Sequence, residues 1–357
     1  MRVLSARIAL LFVALSLGAC AAAPRVMQYY PEGSTQADVL SWPAVPAVPR
    51  LEFVGQLLGE QNFVLEDDSE GAGRSLLRWL VGLGKRGRQV SQLVRPQSGV
   101  VDSQGRILVT DAGRPSVFVF DETAATFEVW REAEAGVDFV SPVGIAELGA
   151  GEFLVADAEL GEVFVLSHDG TPLRRFATND VQRPTGLDVD MSAGRVYIAD
   201  KDARLIKVFS TSGTLLRTIG EPGDVTGTLN APMHVRVVGG QLYVSDALNA
   251  HVLIYATGTG ELLGQVGQRG LYIGNMVRPK GVSIDSDGNI YVVESYYDHL
   301  LVYDAAGQFL LPVGGTGTGI GEFFLPAGSW SDAQDRIFVA DMFNGRVIVF
   351  RYVRADS

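Results

Sequence analysis

Six acidic residues recur along this chain at nearly constant intervals. Asp111, Asp157, Asp200, Asp246, Glu294 and Asp341 are separated by 46, 43, 46, 48 and 47 residues. Each closes a short apolar run, as in Arg195-Val196-Tyr197-Ile198-Ala199-Asp200. Nine residues beyond each acid stands a large apolar residue: Phe120, Leu166, Phe209, Tyr255, Tyr303 and Phe350. A proline opens every copy: Pro96, Pro142, Pro184, Pro232, Pro279 and Pro326. Spacing is constant within a copy and variable between copies, so strand lengths are fixed while loops differ. The runs are β-branched and aromatic, and Leu205 to Phe209 and Thr214 to Ile219, split by a Ser-Gly turn, complete four strands per copy. Helical solenoids fail on that composition, and leucine-rich repeats on repeat length. Four short antiparallel strands cannot bury both faces alone. The pattern therefore predicts an all-β fold, a six-bladed β-propeller of four-stranded antiparallel blades.

Only seven residues follow Phe350, too few for a hairpin and a fourth strand in the last copy. Leu51-Glu52-Phe53-Val54-Gly55-Gln56-Leu57, ahead of the first copy, matches that missing strand in type. It is predicted to close the ring and hide its edges. The propeller then spans residues 50–351, with 352–357 as a tail.

The run Gly314-Gly315-Thr316-Gly317-Thr318-Gly319-Ile320-Gly321-Glu322-Phe323-Phe324-Leu325-Pro326 resembles the glycine-rich stretch that opens an NHL repeat. Arg278-Pro279-Lys280-Gly281-Val282-Ser283-Ile284-Asp285 through Tyr303 resembles its strand pattern. By this resemblance the chain is a six-bladed NHL propeller. Such propellers serve as protein-binding platforms, sensor ectodomains, RNA binders and, in one branch, a metal-dependent amidating lyase, so the resemblance leaves function open.

Residues 1–19 read as an export signal, with Arg2 and Arg7 ahead of an apolar run from Ile8 to Leu17. Leu17-Gly18-Ala19-Cys20 resembles the bacterial lipobox, which implies acylation of Cys20 and cleavage just before it. Cys20 is the only cysteine, so lipidation also excludes thiol catalysis. Ala21 in place of Asp resembles the outer-membrane sorting case, which implies a protein facing the periplasm. Several acyl chains make such an anchor stable where one would not. Residues 20–49 carry five prolines and no strong periodicity, and read as a lipidated cysteine followed by a stiff tether.

Residues 58–94 form an insertion. Ser75 is positioned to cap a helix through Leu76, Leu77, Trp79, Leu80, Val81 and Leu83, with Arg74, Arg78 and Lys85 on the opposite face. The segment is expected to pack beneath the propeller, with a membrane-surface contact or a partner site as the other readings.

Charge narrows the partners. The chain holds 29 Lys plus Arg against 41 Asp plus Glu, and losing the two leader arginines leaves 27 against 41, a balance of −14. A surface of that sign repels polyphosphates, which disfavours RNA and DNA. No Gly-x-Ser-x-Gly elbow, His-Glu-x-x-His or phosphate loop is present. Two residues past each blade proline the copies read Ser98, Gly144, Gly186, His234, Gly281 and Gly328, five small residues and one imidazole. By resemblance the amidating lyase places three histidines at such positions to hold zinc. This chain supplies one, below the three protein ligands a zinc site needs. His251 and His299 read as turn residues, and His168 as solvated. The six blade acids each end a strand at a turn, where a carboxylate accepts backbone N–H bonds, so no cation ring is inferred.

Arginine precedes the proline in copies one, three and five only: Arg95, Arg183 and Arg278. The resemblance starts the innermost strand here, which puts the three guanidiniums and His234 near a channel mouth as a candidate site for an anion. The sequence thus predicts a lipid-anchored, non-catalytic scaffold or sensor that binds an envelope protein or a small anionic ligand, with no cofactor and no metal. A propeller-type metal-dependent hydrolase or lyase is the alternative.

Overall fold

In a computed structural model the described residues are 25–30, 40–44, 47–65, 90–149, 151–177, 179–225 and 227–354. They form six antiparallel blades in a ring. Blade one spans Pro96–Trp130, blade two Pro142–Phe176, blade three Pro184–Ile219, blade four Pro232–Val266 and blade five Pro279–Gly314, each with four strands in chain order. Blade six takes three strands from the C-terminal end (Ser329–Ser331, Arg336–Asp341 and Arg346–Tyr352) and its fourth from Leu51–Leu57. Closure by the N-terminal strand is therefore as the sequence predicts. The last strand runs through Tyr352, and the Val353 N–H donates to the Arg50 carbonyl at 2.8 Å, so the ordered body extends past residue 351.

The second and third strands of each blade are buried nearly throughout, whereas the fourth is largely exposed or half-buried in blades one to four and alternates buried with half-buried residues in the closing strand Leu51–Leu57. Apolar side chains gather between blades in six clusters, one per interface. The repeated large residue nine positions past the acid lies in the layer shared with the preceding blade. Phe120 joins blade six, Phe209 joins blade two and Phe350 joins blade five. Burial of each contributes about 1.5–3 kcal/mol. The register of the repeat is thus a register of packing between neighbours.

The acids are buried fasteners. Asp111 accepts from the backbone N–H groups of Val94 and Arg95 at the blade entry, and of Gly113 and Arg114 in the following turn, at 2.6–3.1 Å. Asp157, Asp200, Asp246 and Glu294 repeat the arrangement. Each carboxylate ties the entry of its blade to the turn between the second and third strands, satisfying orphan donors that burial would otherwise penalise.

Two other expectations are corrected. The segment read as a stiff tether is in part built into the body. Arg25–Met27 pairs with Phe63–Leu65, and Ser41–Trp42 adds a fifth strand to blade six by pairing with Leu51 and Glu52. The Tyr29 hydroxyl accepts from Arg336 at 2.6 Å and donates to Glu122 at 3.1 Å, bridging blades six and one. Trp42 packs edge-on against Phe350. Proline-rich chain carries no periodic signal for such edge pairing, which is supplied by the exposed side of the Leu51–Leu57 strand. His251 and His299 are also not turn residues, since each opens a third strand. Within 58–94, a 3-10 turn at Glu60–Asn62 and the strand Phe63–Leu65 are formed. The predicted helix from Ser75 to Leu83 and the lipidation position Cys20 lie outside the described residues.

Candidate site at the channel mouth

The residue directly after each blade proline faces the centre of the ring. Gln97, Val143, Thr185, Met233, Lys280 and Ala327 together line one cleft of about 170 Å³, one residue from each blade. One step deeper the inner strands draw together, and this is where five of the six copies carry Gly or Ser while one carries His234. A Cβ on Gly281 would sit 2.2 Å from the Ser329 nitrogen, and one on Gly186 2.6 Å from the His234 Cα. Only a missing side chain permits that approach. The single imidazole occupies the space the glycines leave, forming a floor between the cleft and a smaller space of about 30 Å³ beneath it, lined in part by Asp188, Arg236 and Trp330.

His234 is held as a neutral ring. Burial, assisted by the Arg236 charge, lowers its pKa to about 4. Its Nδ1 accepts from the Val282 N–H at 3.4 Å, which leaves the ring proton on Nε2, 3.4 Å from the Ser98 hydroxyl. Hydroxyls tie the inner strands around it. Ser245 donates to the Lys280 carbonyl, Thr185 to the carbonyls of Ala199 and Pro232, and Ser283 pairs with Ser329 at 2.7 Å.

Among the described residues the cleft wall carries Arg183, Lys201 and Lys280 and no carboxylate. On a chain of net charge −12 this is a local reversal of sign. Burial, then the neighbouring Arg278 charge, lowers the Lys280 amine to about 8, so it is still a cation at neutral pH. Arg183 is anchored at the rim by Glu159 at 2.8 Å, both side chains remaining substantially exposed.

Of the sequence-predicted set, Arg183 and His234 meet in this cleft. Arg95 and Arg278 do not line it. Both are exposed at the mouth, Arg95 reaching the Ala112 carbonyl at 3.4 Å and Arg278 acting on the site through its charge on Lys280. The alternation of arginines is thus not a converging triad. Of the residues before a blade proline, Ser141 and Arg183 reach the cleft, whereas the residue after the proline lines it in all six blades. Lys280 and Lys201 went unread, although Lys280 stands at a repeat position that faces the channel in all six copies. His299 lines a separate cleft, His251 is buried with an unpartnered Nε2, and exposed His168 offers its carbonyl to Arg106. Among the described residues no group of three or more His, Cys, Asp or Glu is placed to hold a metal ion.

Comparison with known proteins bears on the fold. Residues 227–309 and 284–353 match the sequence pattern of a family described as 6-bladed beta-propeller. Nidogen of Drosophila melanogaster is 28% identical over 88 residues, a stretch covering 22% of this chain and 6% of that protein. Virginiamycin B lyase from Staphylococcus aureus superposes with a TM-score of 0.54 at 12% identity, over 74% of this chain and 85% of the lyase. A chain of the nidogen/laminin complex superposes with a TM-score of 0.51 at 17% identity, over 63% of this chain and 83% of its own. At such identities the likeness shows the six-bladed propeller and leaves the chemistry to be argued from this chain's own residues.

Proposed function

We propose that this protein is a lipid-anchored, non-catalytic propeller of the bacterial envelope whose channel mouth receives an anionic group from a partner protein or a small ligand. One observation carries the reading: Arg183, Lys201 and Lys280 line a cleft to which no described residue contributes a carboxylate, on a chain of net charge −12. Three cations gathered in one cleft repel one another, and an incoming anion relieves that repulsion. The nidogen/laminin likeness supports protein binding as a use for such a ring. The likeness to a lyase raises the enzymatic alternative. Against it stands His234, a single neutral imidazole with both ring nitrogens engaged and a pKa far from the near-neutral range suited to general acid or base work.

Calorimetric titration with citrate at low ionic strength tests the cleft. Saturable binding is expected, weakened by added salt and by about tenfold or more in Lys201→Gln/Lys280→Gln. The sign of the pH effect follows from Lys280. Its amine loses its proton as pH rises through about 8, so affinity falls across that range, and Lys280→Met abolishes that step. Binding indifferent to both lysines and to salt overturns the proposal. The anchor has its own test, since Cys20→Ser is expected to move the folded protein from the membrane fraction to the soluble one.

A further inference from the structure

The two halves of the channel-mouth face differ. Two residues past the blade acids, at the turn between the second and third strands, blades one to three carry Gly113, Glu159 and Asp202. Blades four to six carry Leu248, Tyr296 and Phe343 at the same position, each more than half exposed. The entry loop of blade five adds Leu271, Tyr272 and Ile273, 79%, 84% and 69% exposed. These side chains are displayed by a formed loop. The Asn275 N–H donates to the Tyr272 carbonyl at 2.9 Å, Met276 N–H to the Gln268 carbonyl at 2.9 Å, and the Tyr303 hydroxyl to the Gly274 carbonyl at 2.9 Å. A cleft of about 220 Å³ opens between this loop and Tyr297 and His299. A preformed cluster of large apolar side chains held in water is the mark of a docking surface, since its burial elsewhere is not available to it.

The surface continues into the cation cleft. Glu294 borders the apolar cleft and accepts the N–H groups of Val277 and Arg278, and Lys280, two residues on, lines the channel mouth. One track therefore runs along blade five from an exposed apolar loop to a pair of lysines. We infer that this half of the face docks an extended segment of a partner polypeptide, whose apolar side chains lie on Leu271, Tyr272, Ile273 and Tyr296 while a carboxylate of the same segment seats beside Lys201 and Lys280. The inference rests on the anion reading of the channel mouth and names its partner. Charge selects a polypeptide over a bilayer. The cations lie at the inner end of the track, inside a cleft sized for a carboxylate, and the neighbouring turns expose Glu159 and Asp202, which an anionic membrane surface would repel.

Panning a random dodecapeptide phage library on the purified full chain tests this. Selected peptides are expected to combine Asp or Glu with Leu, Phe, Tyr or Trp. A synthetic copy of the dominant peptide is expected to bind wild type in a salt-sensitive way. Its affinity should fall about tenfold or more both in Leu271→Ser/Tyr272→Ser/Ile273→Ser and in Lys201→Gln/Lys280→Gln. Tyr296→Ser, in a different turn, provides a second apolar variant, and unchanged melting curves show that the variants fold. Failure to enrich any peptide while citrate still binds overturns the polypeptide proposal and leaves the anion reading standing. Peptide binding lost in the loop variant but untouched by the lysine variant overturns the joint site, and the anion reading falls with it only where citrate binding is also indifferent to the lysines. Binding to vesicles of phosphatidylglycerol and phosphatidylethanolamine that the loop variant abolishes, with no peptide selected, assigns the loop to a membrane and also overturns the inference.

Discussion

Blades three and six have the same strand types and the same repeat residues, yet they are held together differently. Blade three is one continuous run, Pro184–Ile219, and its acid Asp200 meets Lys207 of the same blade at 2.8 Å. Blade six joins the two ends of the chain, and its acid is served by a long-range hub. The Arg346 guanidinium donates to Asp341 at 2.7 Å, to the Gln56 side chain of the N-terminal strand at 3.1 Å, and to the carbonyls of Thr318, Gly319 and Glu322 in the glycine-rich loop at 2.8–3.2 Å. A locally made blade needs only its own turns. A blade closed across the whole chain needs a residue that recognises the incoming strand, because loop-closure entropy opposes the pairing until contacts offset it. The same glycine-rich loop that carried the NHL resemblance turns out to supply three carbonyls to that recognition.

The two environments also set the two acids apart. Burial pushes Asp200 up, but the Lys207 amine and the backbone N–H groups of Arg183, Gln182 and Ala203 outweigh it and hold the carboxyl below its ordinary value. In Asp341 burial wins over Phe324 N–H, Asn344 and Arg346, and the pKa is raised.

Removing the closing strand tests the comparison most severely. Deleting residues 51–57 strips the buried side chains Leu51, Phe53 and Leu57 and uncovers the edge of the Arg346–Tyr352 strand. With about 1.5–3 kcal/mol per side chain, the melting temperature is expected to fall by more than about 10 °C or the protein to aggregate. An unchanged melting curve would show that the ring does not depend on this strand. Next in size is Arg346→Met, which leaves Asp341 buried without its cation and should cost about 3–5 kcal/mol in denaturant unfolding. Arg351→Ala, at the exposed pair with Glu52 across the same strand junction, should cost less than about 1 kcal/mol. Equal losses from the two would refute the hub.

The smallest effect is one of pH. The lowered carboxyl of Asp200 contributes stability present above its unfolded pKa and lost as pH falls through the folded value. The raised carboxyl of Asp341 contributes stability present at low pH and lost as pH rises through its folded value. As pH is taken from about 5 to about 3, amide exchange is expected to quicken in blade three relative to blade six. Parallel changes in both blades would erase the distinction.

Blade number and strand order were legible in the sequence because they depend on a spacing that recurs six times, and ring closure because the last copy lacks its fourth strand. The acid, the proline and the large residue nine positions on mark a strand end, a strand start and a layer position wherever they occur. The packing of residues 25–30 and 40–44 against the closing blade was not legible, since irregular strands that pair at an edge leave no period to read. At the site, the singular His234 stood out against five small residues and does mark the channel floor. Arg95 and Arg278 misled because the position before each proline lies at the strand entrance, where Ser141 and Arg183 reach the cleft and the other two arginines do not, whereas the position after the proline lines it in every blade. Local spacing determined what this chain folds into, since strand and turn energetics act over a few residues. Which cations share a cleft, and which apolar turns fall on one half of a face, was decided only when the ring brought together residues about a hundred positions apart in the chain, as it did Arg183 and Lys280.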